Sequence, residues 1–160
     1  MSNISLINFI DLTLEEKELV LSWRNNPDIR KWMFTTETIS LEQHLKFIET
    51  LKNSKDKQYF VVKDDTNYLG VIDFCNVTKT SLEMGLYKNP KIANVGKILL
   101  NTIINYSFTI LKVSNIISEV FESNKKAYEL YKEIGFKPIS SKFVNNTKVI
   151  KMELNTELNF

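Results

Sequence analysis

Cysteine is almost missing from this chain: Cys75 stands alone among 160 residues, so no internal disulfide framework exists. Histidine is equally scarce, with His44 alone, and one of each makes a dedicated zinc site untenable, so no metal is expected. With only 4 glycines and 3 prolines there is no flexible linker or low-complexity tract, and the chain reads as one domain over residues 1–160. Neither sign of charge dominates: 21 Lys and Arg face 19 Asp and Glu, for a net charge of +2. That balance argues against a basic nucleic-acid platform. No apolar run approaches the roughly 20 residues that cross a bilayer, and the N-terminus lacks the basic, apolar, small-residue order of a signal peptide. A cytoplasmic protein with neither nucleic-acid nor membrane partners is expected. Cys75, among strand-like neighbours Asp73, Phe74 and Val77, reads as a buried structural thiol.

What is present is periodic. Ser5–Phe9 alternates weakly as a first strand. Thr13-Leu-Glu-Glu16 has the spacing of a capping box, opening a helix that turns Leu19, Val20 and Trp23 inward and stops near Asn25-Asn-Pro27. Ser40-Leu-Glu-Gln43 repeats that spacing before Leu41, Leu45, Ile48 and Leu51. Tyr59–Val62 and Leu69–Phe74 form a hairpin across Asp64–Asn67, and Ser81–Tyr87 is the next strand. A helix follows from Val95, with Ile98, Leu99, Thr102, Ile103 and Tyr106 on one face. Ile116–Phe121 is a strand, Lys125–Ile134 a helix stopped by Gly135, and Phe136–Phe143 with Lys148–Leu154 a last hairpin across Asn145-Asn146. The order predicts a mixed α+β or α/β fold, a central sheet of about seven strands flanked by about four helices.

Two segments carry chemistry. Lys91-Ile-Ala-Asn-Val-Gly96-Lys97 runs straight into the strongest helix. The first amides of a helix lack internal partners and carry positive partial charge, so a diphosphate fits there if small side chains admit it. Ala93, Asn94 and Gly96 leave that room and Lys91 and Lys97 add charge, although an ordinary strand-to-helix connection looks the same. The second segment is Asn124-Lys-Lys-Ala-Tyr-Glu-Leu-Tyr131-Lys-Glu-Ile-Gly135-Phe136. Asn124 suits an N-cap, and Ala127 and Tyr131 share a helix face, wall-like beside a narrow channel. Tyr128 and Tyr131 also suit a core.

Together the segments resemble the GNAT superfamily of N-acetyltransferases. Its coenzyme loop reads Arg/Gln-x-x-Gly-x-Gly/Ala, where this chain has Lys91, Asn94 and Gly96; Lys91 and Asn94 depart from it. Its downstream pattern Asn-x-x-Ala-x-x-x-Tyr-x-x-x-Gly-Phe is met by Asn124, Ala127, Tyr131, Gly135 and Phe136. The resemblance implies a GNAT fold in which the fourth and fifth strands, Leu82–Tyr87 and Ile116–Phe121, splay apart to admit acetyl-CoA as cosubstrate. It implies contacts from Met84, Gly85, Leu86, Lys91, Asn94, Val95, Gly96, Lys97, Asn124, Ala127 and Tyr131. A backbone N–H near Met84–Leu86 would polarise the thioester, and Tyr131 would protonate the departing thiolate. A protonated amine has no lone pair, so a base is needed; Glu83, Glu119, His44 and a water chain all remain candidates.

Trp23-Arg24-Asn25 and Trp32-Met33-Phe34 gather aromatics and an arginine around one junction, which suits a phosphate and a base or deoxysugar as well as an ordinary core. With His44-Leu-Lys-Phe47-Ile, Tyr68-Leu-Gly70 and Gly85-Leu-Tyr-Lys-Asn-Pro90, this half is similar to the pseudaminic acid branch of the superfamily. That branch acetylates the 4-amino group of a UDP-linked 4-amino-4,6-dideoxy sugar for flagellin glycosylation. The likeness implies a UDP-amino-sugar pocket lined by Arg24, Met33, Phe34, His44 and Phe47, and leaves room for a homodimer. Two other readings stay open: acetylation of ribosomal-protein N-termini, by a related branch with a Trp-Arg-Asn-like start, and a coenzyme-binding module without catalysis.

Overall fold

In the computed structural model, which describes residues 3–156, both capping boxes form. Thr13 Oγ1 accepts from the Glu16 amide at 3.1 Å while Glu16 Oε1 accepts from the Thr13 amide at 2.9 Å, opening α1 (Leu14–Asn25). Ser40 and Gln43 repeat the exchange at the start of α3 (Leu41–Leu51). Each box satisfies two otherwise open amides, and loss of a cap hydroxyl costs about 1 kcal/mol. Pro27 ends α1 and also begins a short helix, α2 (Pro27–Arg30), because its missing N–H is harmless in a first turn. With α4 (Gly96–Asn105) and α5 (Lys125–Ile134) there are five α-helices among the described residues, one more than the expected four.

Seven strands form one sheet: β1 (Ser5–Asn8), β2 (Gln58–Lys63), β3 (Tyr68–Cys75), β4 (Ser81–Lys88), β5 (Asn115–Phe121), β6 (Lys137–Val144) and β7 (Thr147–Asn155). Their order is β1-β2-β3-β4-β5-β7-β6. Among the described residues only β4 and β5 pair in parallel, because α4 carries the chain back across the sheet between them. The last hairpin turns on Asn145 and Asn146, at φ 50 and 63, the left-handed pair that a two-residue turn needs. Gly135, at φ 123, ends α5 where a side chain would be strained.

The sheet divides the core in two. Val20 and Trp23 of α1 and Ile48 and Leu51 of α3 pack with Phe9 on Val61 and Val71. On the other face Leu99, Leu100 and Ile103 of α4 and Tyr131 of α5 cover Phe60, Ile72, Phe74, Met84, Ile116 and Val120. Helix faces are rotated a little from expectation. Leu19, Leu41 and Ile98 lie outward, Thr102 is only half-buried, and Leu21 and Leu100 go in instead. Tyr106 opens a wider turn, Tyr106–Ile110, and its ring stacks on Phe74 at 5.0 Å. Cys75 is half-exposed rather than buried, since β3 ends there. No helix among the described residues is long and apolar enough to cross a membrane.

Candidate active site

The parallel ladder between β4 and β5 is short. It runs from Ser81 opposite Asn115 to Met84 opposite Ser118 and stops. Beyond it Gly85–Lys88 stays paired with β3, and Glu119–Phe121 stays paired with β7. The two strands therefore part into a fork. Main-chain N–H groups alternate sides along a strand, so of three consecutive residues, Met84, Gly85 and Leu86, at least one directs its N–H into the gap.

Tyr131 stands at the vertex of that fork. Helix α5 buries its ring against Phe136, centroids 5.7 Å apart, and its hydroxyl bonds to the buried Ser118, the last paired residue of β5. Burial pushes the phenol up to about 12, the Ser118 hydrogen bond offsets part of this, and the charge of Asp73 adds to it. The phenol stays protonated and able to donate. Ala127, one turn earlier on the same face, is half-buried, and Asn124 caps the helix by accepting from the Ala127 amide at 3.4 Å. Tyr128 lies under Lys132, whose Nζ is 5.5 Å from its ring.

The start of α4 differs from its neighbours. Thr13, Ser40 and Asn124 cap α1, α3 and α5, whereas Val95, the residue before Gly96, is buried and offers no side-chain cap. The first amides of α4 therefore have no side-chain acceptor, and Gly96 adds no bulk there. Asn94 takes φ 62, the left-handed conformation that asparagine tolerates better than most side chains. Its departure from the glycine of the family loop is thus conformationally neutral. Lys91 is exposed, its amide held by Asn89 Oδ1 at 3.0 Å; Lys97, also exposed, reaches Glu133 of α5 at 3.9 Å.

Across the sheet, Arg24 lies between α1 and the loop that precedes α3. Nη2 donates to the Thr35 carbonyl at 3.4 Å, while Nη1 is buried with no partner among the described residues. Desolvation lowers its affinity for its proton, the Tyr87 and Tyr59 hydroxyls oppose this, and Arg30 adds to it. Asn25 clamps the same loop by bonding both the N–H and the carbonyl of Ile39 at 2.8 Å. Phe34 lies edge-on to Phe121 at 5.5 Å and its carbonyl accepts from Asn145 Nδ2 at 3.5 Å, so the loop bridges to the β6–β7 tip. Met33 is half-buried beside it, and Phe47 meets Tyr59 edge-on at 5.0 Å.

The expected bases separate. His44 is not brought to the fork: it is buried between α3 and α1, with Nε2 3.0 Å from the Lys17 carbonyl and its ring edge-on to Phe9. Desolvation lowers its proton affinity, and it braces two helices. Glu119 is ion-paired to Lys142 at 2.7 Å, and Glu83 accepts from Asn76 Nδ2 at 2.9 Å. A carboxylate that the sequence did not single out lies beside the β4 prong. Asp73 pairs in register with Gly85, and a Cβ built on Gly85 would fall 2.9 Å from the Asp73 Cγ. Glycine at 85 is what admits that carboxylate. Asp73 keeps some accessible surface although protein surrounds its carboxyl. Burial pushes it up to about 6, and the Cys75 thiol, 3.5 Å from Oδ1, opposes this slightly. Tyr59 and Tyr87 flank it, both raised well above the ordinary phenol range by desolvation and by its charge. Register alone, known only once β2, β3 and β4 are paired, brings these three side chains together.

A family model described as an acetyltransferase (GNAT) domain matches residues 7–137. The acetyltransferase PseH of Campylobacter jejuni subsp. jejuni serotype O:23/36 (strain 81-176) is 45% identical over 133 residues, 83% of this chain and 84% of its own. The crystal structure of the Campylobacter jejuni N-acetyltransferase PseH in complex with acetyl coenzyme A superposes with TM-score 0.83 at 37% identity, covering 97% of this chain and 100% of that one. A spermidine N-acetyltransferase from Vibrio cholerae, solved with CoA and spermine, reaches TM-score 0.85 at 23% identity over 95% of each chain, which is a likeness of fold.

Proposed function

The chain belongs to the GNAT acetyltransferase family and is an acetyl-CoA-dependent N-acetyltransferase; from that premise we propose that its acceptor is the 4-amino group of a UDP-linked 4-amino-4,6-dideoxy sugar, in pseudaminic acid biosynthesis for flagellin glycosylation. The observation that carries the sugar reading is Arg24, whose buried Nη1 has no partner among the described residues, with Tyr59 and Tyr87 near it. A buried guanidinium proton left unpaired is costly, and a phosphate oxygen satisfies it with a charge-assisted bond. Phe34, Phe47 and Met33 supply flat and apolar surface for uracil and deoxysugar.

The chain's residues fit the cosubstrate. The uncapped α4 amides with Gly96 receive the diphosphate, Lys91 and Lys97 add charge at its rim, and the fork accepts the pantetheine arm. Within the fork a main-chain N–H at Met84–Leu86 stabilises the oxyanion that forms as the amine attacks the thioester carbonyl. Tyr131 gives its proton to the sulfur as the C–S bond breaks. Asn124 and Ala127 shape the channel wall beside it. Glu119, on the β5 prong of the fork, and Glu83, in the paired ladder just before it, hold the acceptor's amine end.

The competing acceptor is a protein N-terminus, which needs an open groove. Asn25 clamps the loop before α3 and Phe34 bridges it to Phe121, which narrows the mouth and favours a compact acceptor. A homodimer has its most suitable surface along β6, an edge strand exposed nearly throughout with Ile139 and Phe143 outward. The cytoplasm, where acetyl-CoA and nucleotide sugars are made, is its place of work. The deciding experiment offers purified protein acetyl-CoA with a UDP-4-amino-4,6-dideoxy sugar, N-terminal peptides and spermidine in parallel. Acetylation of the sugar is expected; acetylation of peptides or spermidine alone would overturn the acceptor.

A further inference from the structure

We infer that Asp73 is the proton acceptor of this acetyltransferase: its carboxylate, laid over Gly85 just past the point where β4 and β5 part, takes a proton from the substrate's ammonium group. The inference rests on the acetyl-transfer reading and deepens it by naming the base. Three observations carry it. First, the side chain enters the acceptor face of the fork only because residue 85 has no Cβ. Second, among the described residues it has no cationic partner, and its one hydrogen bond comes from a thiol, a weak donor, at 3.5 Å. A carboxylate held this deep without compensation is costly, and an incoming ammonium supplies the missing charge. Third, Asp73 pairs with Gly85, the first residue of β4 past the ladder, while Tyr131 reaches Ser118, the last paired residue of β5, from the opposite face of the sheet, so acid and base flank the same gap.

The alternatives are differently placed. Glu119 is held in a 2.7 Å ion pair with Lys142, and Glu83 is engaged by Asn76. Groups facing Asp73 are Tyr59 from β2, Cys75 from β3, Tyr87 from β4 and, behind Tyr87, Arg24 from α1. Tyr131 faces it from α5, while Lys142 of β6 lies by Glu83 and Glu119. Tyr59, Tyr87 and Cys75 all hold their protons more tightly than usual, so none competes as a base near neutral pH. Asp73, poised near neutrality, is charged when the amine arrives and still basic enough to accept.

The protons balance. Asp73 takes one from the ammonium, the freed lone pair forms the N–C bond, and the C–S bond breaks as Tyr131 protonates the sulfur. The amide nitrogen sheds a second proton on collapse. Of that proton and the one on Asp73, one restores Tyr131 and one goes to solvent.

The test is the pH dependence of kcat/KM for full-length protein with acetyl-CoA and the UDP-4-amino sugar. Wild type should lose activity on an acid limb near pH 6. Asp73→Asn should lower kcat by ~10²–10⁴-fold and abolish that limb, with acetyl-CoA affinity unchanged. Its residual rate should climb tenfold per pH unit up to the amine's own pKa, because solution then deprotonates the substrate. A slow variant that keeps the acid limb or shows no alkaline rescue would reduce Asp73 to a structural role. Loss of the limb in Glu83→Gln or Glu119→Gln but not in Asp73→Asn would overturn the assignment. If wild type ignores the sugar, the acceptor reading fails, and the same profile with whichever of the peptides or spermidine is turned over decides Asp73. Turnover of none would reject both.

Discussion

Replacing Asp73 by asparagine should make the protein more stable at neutral pH, and the gain should shrink as the solution is acidified. Burial raises this carboxyl from an ordinary 3.8 to about 6, so the folded state binds its proton more tightly than the unfolded state does. Stability carried by such a group is greatest when it is protonated and falls as pH rises through that interval. At about 1.4 kcal/mol per tenfold change in proton affinity, wild type bears a cost of about 1 kcal/mol near pH 4.5 and about 3 kcal/mol near pH 7.5. Asparagine keeps the shape and carries no charge, so it escapes this cost. Its amide adds a burial penalty of about 1–2 kcal/mol that does not vary with pH. The net gain near pH 7.5 should be about 1–2 kcal/mol, or about 3–6 °C in Tm for a chain of this size. The firmer quantity is the difference between the two conditions: the variant's advantage should grow by about 2 kcal/mol from pH 4.5 to pH 7.5. Urea unfolding of both proteins at the two pH values measures it, since the constant amide penalty cancels. An advantage that is flat with pH, or larger in acid, would refute the idea that Asp73 is held as a desolvated carboxylate.

Tyr131→Phe should lower kcat by ~10²–10⁴-fold with acetyl-CoA affinity unchanged, because the ring still packs on Phe136 while the proton donor is gone; single-turnover kinetics and calorimetry separate the two. Arg24→Ala should raise KM for the UDP-linked sugar by roughly 10-fold or more and leave that for acetyl-CoA alone, since the buried, unpartnered Nη1 is the proposed phosphate donor; an effect confined to acetyl-CoA would misplace the pocket. Gly96→Leu should weaken acetyl-CoA binding in calorimetry, because any side chain there starts 3.3 Å from Leu130 and crowds the first amides of α4; wild-type affinity would put the diphosphate elsewhere.

Much of this was legible in the chain because it is local. The two capping boxes, the Asn145-Asn146 turn and the ends of α5 each depend on residues within four positions, so spacing alone announces them. Helix faces were less legible: Leu19, Leu41 and Ile98 fit the expected stripes yet lie outward, because sheet twist and crossing angle choose which flank of a stripe is covered. His44 read as a candidate base since a lone histidine carries no mark of its partner, and that partner is a backbone carbonyl 27 residues away.

By itself the sequence determined most of the element order and the segment Asn124–Phe136, both carried by short-range pattern, while Tyr131 as the acid is what the family resemblance implies. The tertiary structure decided the rest of the site. Pairing β3 with both β2 and β4 sets Asp73 between Tyr59 and Tyr87 and over Gly85, and the early end of the β4–β5 ladder opens the gap beside them. A carboxyl's proton affinity is a property of what surrounds it, and strands some fifteen residues apart in sequence become its surroundings only when the sheet closes.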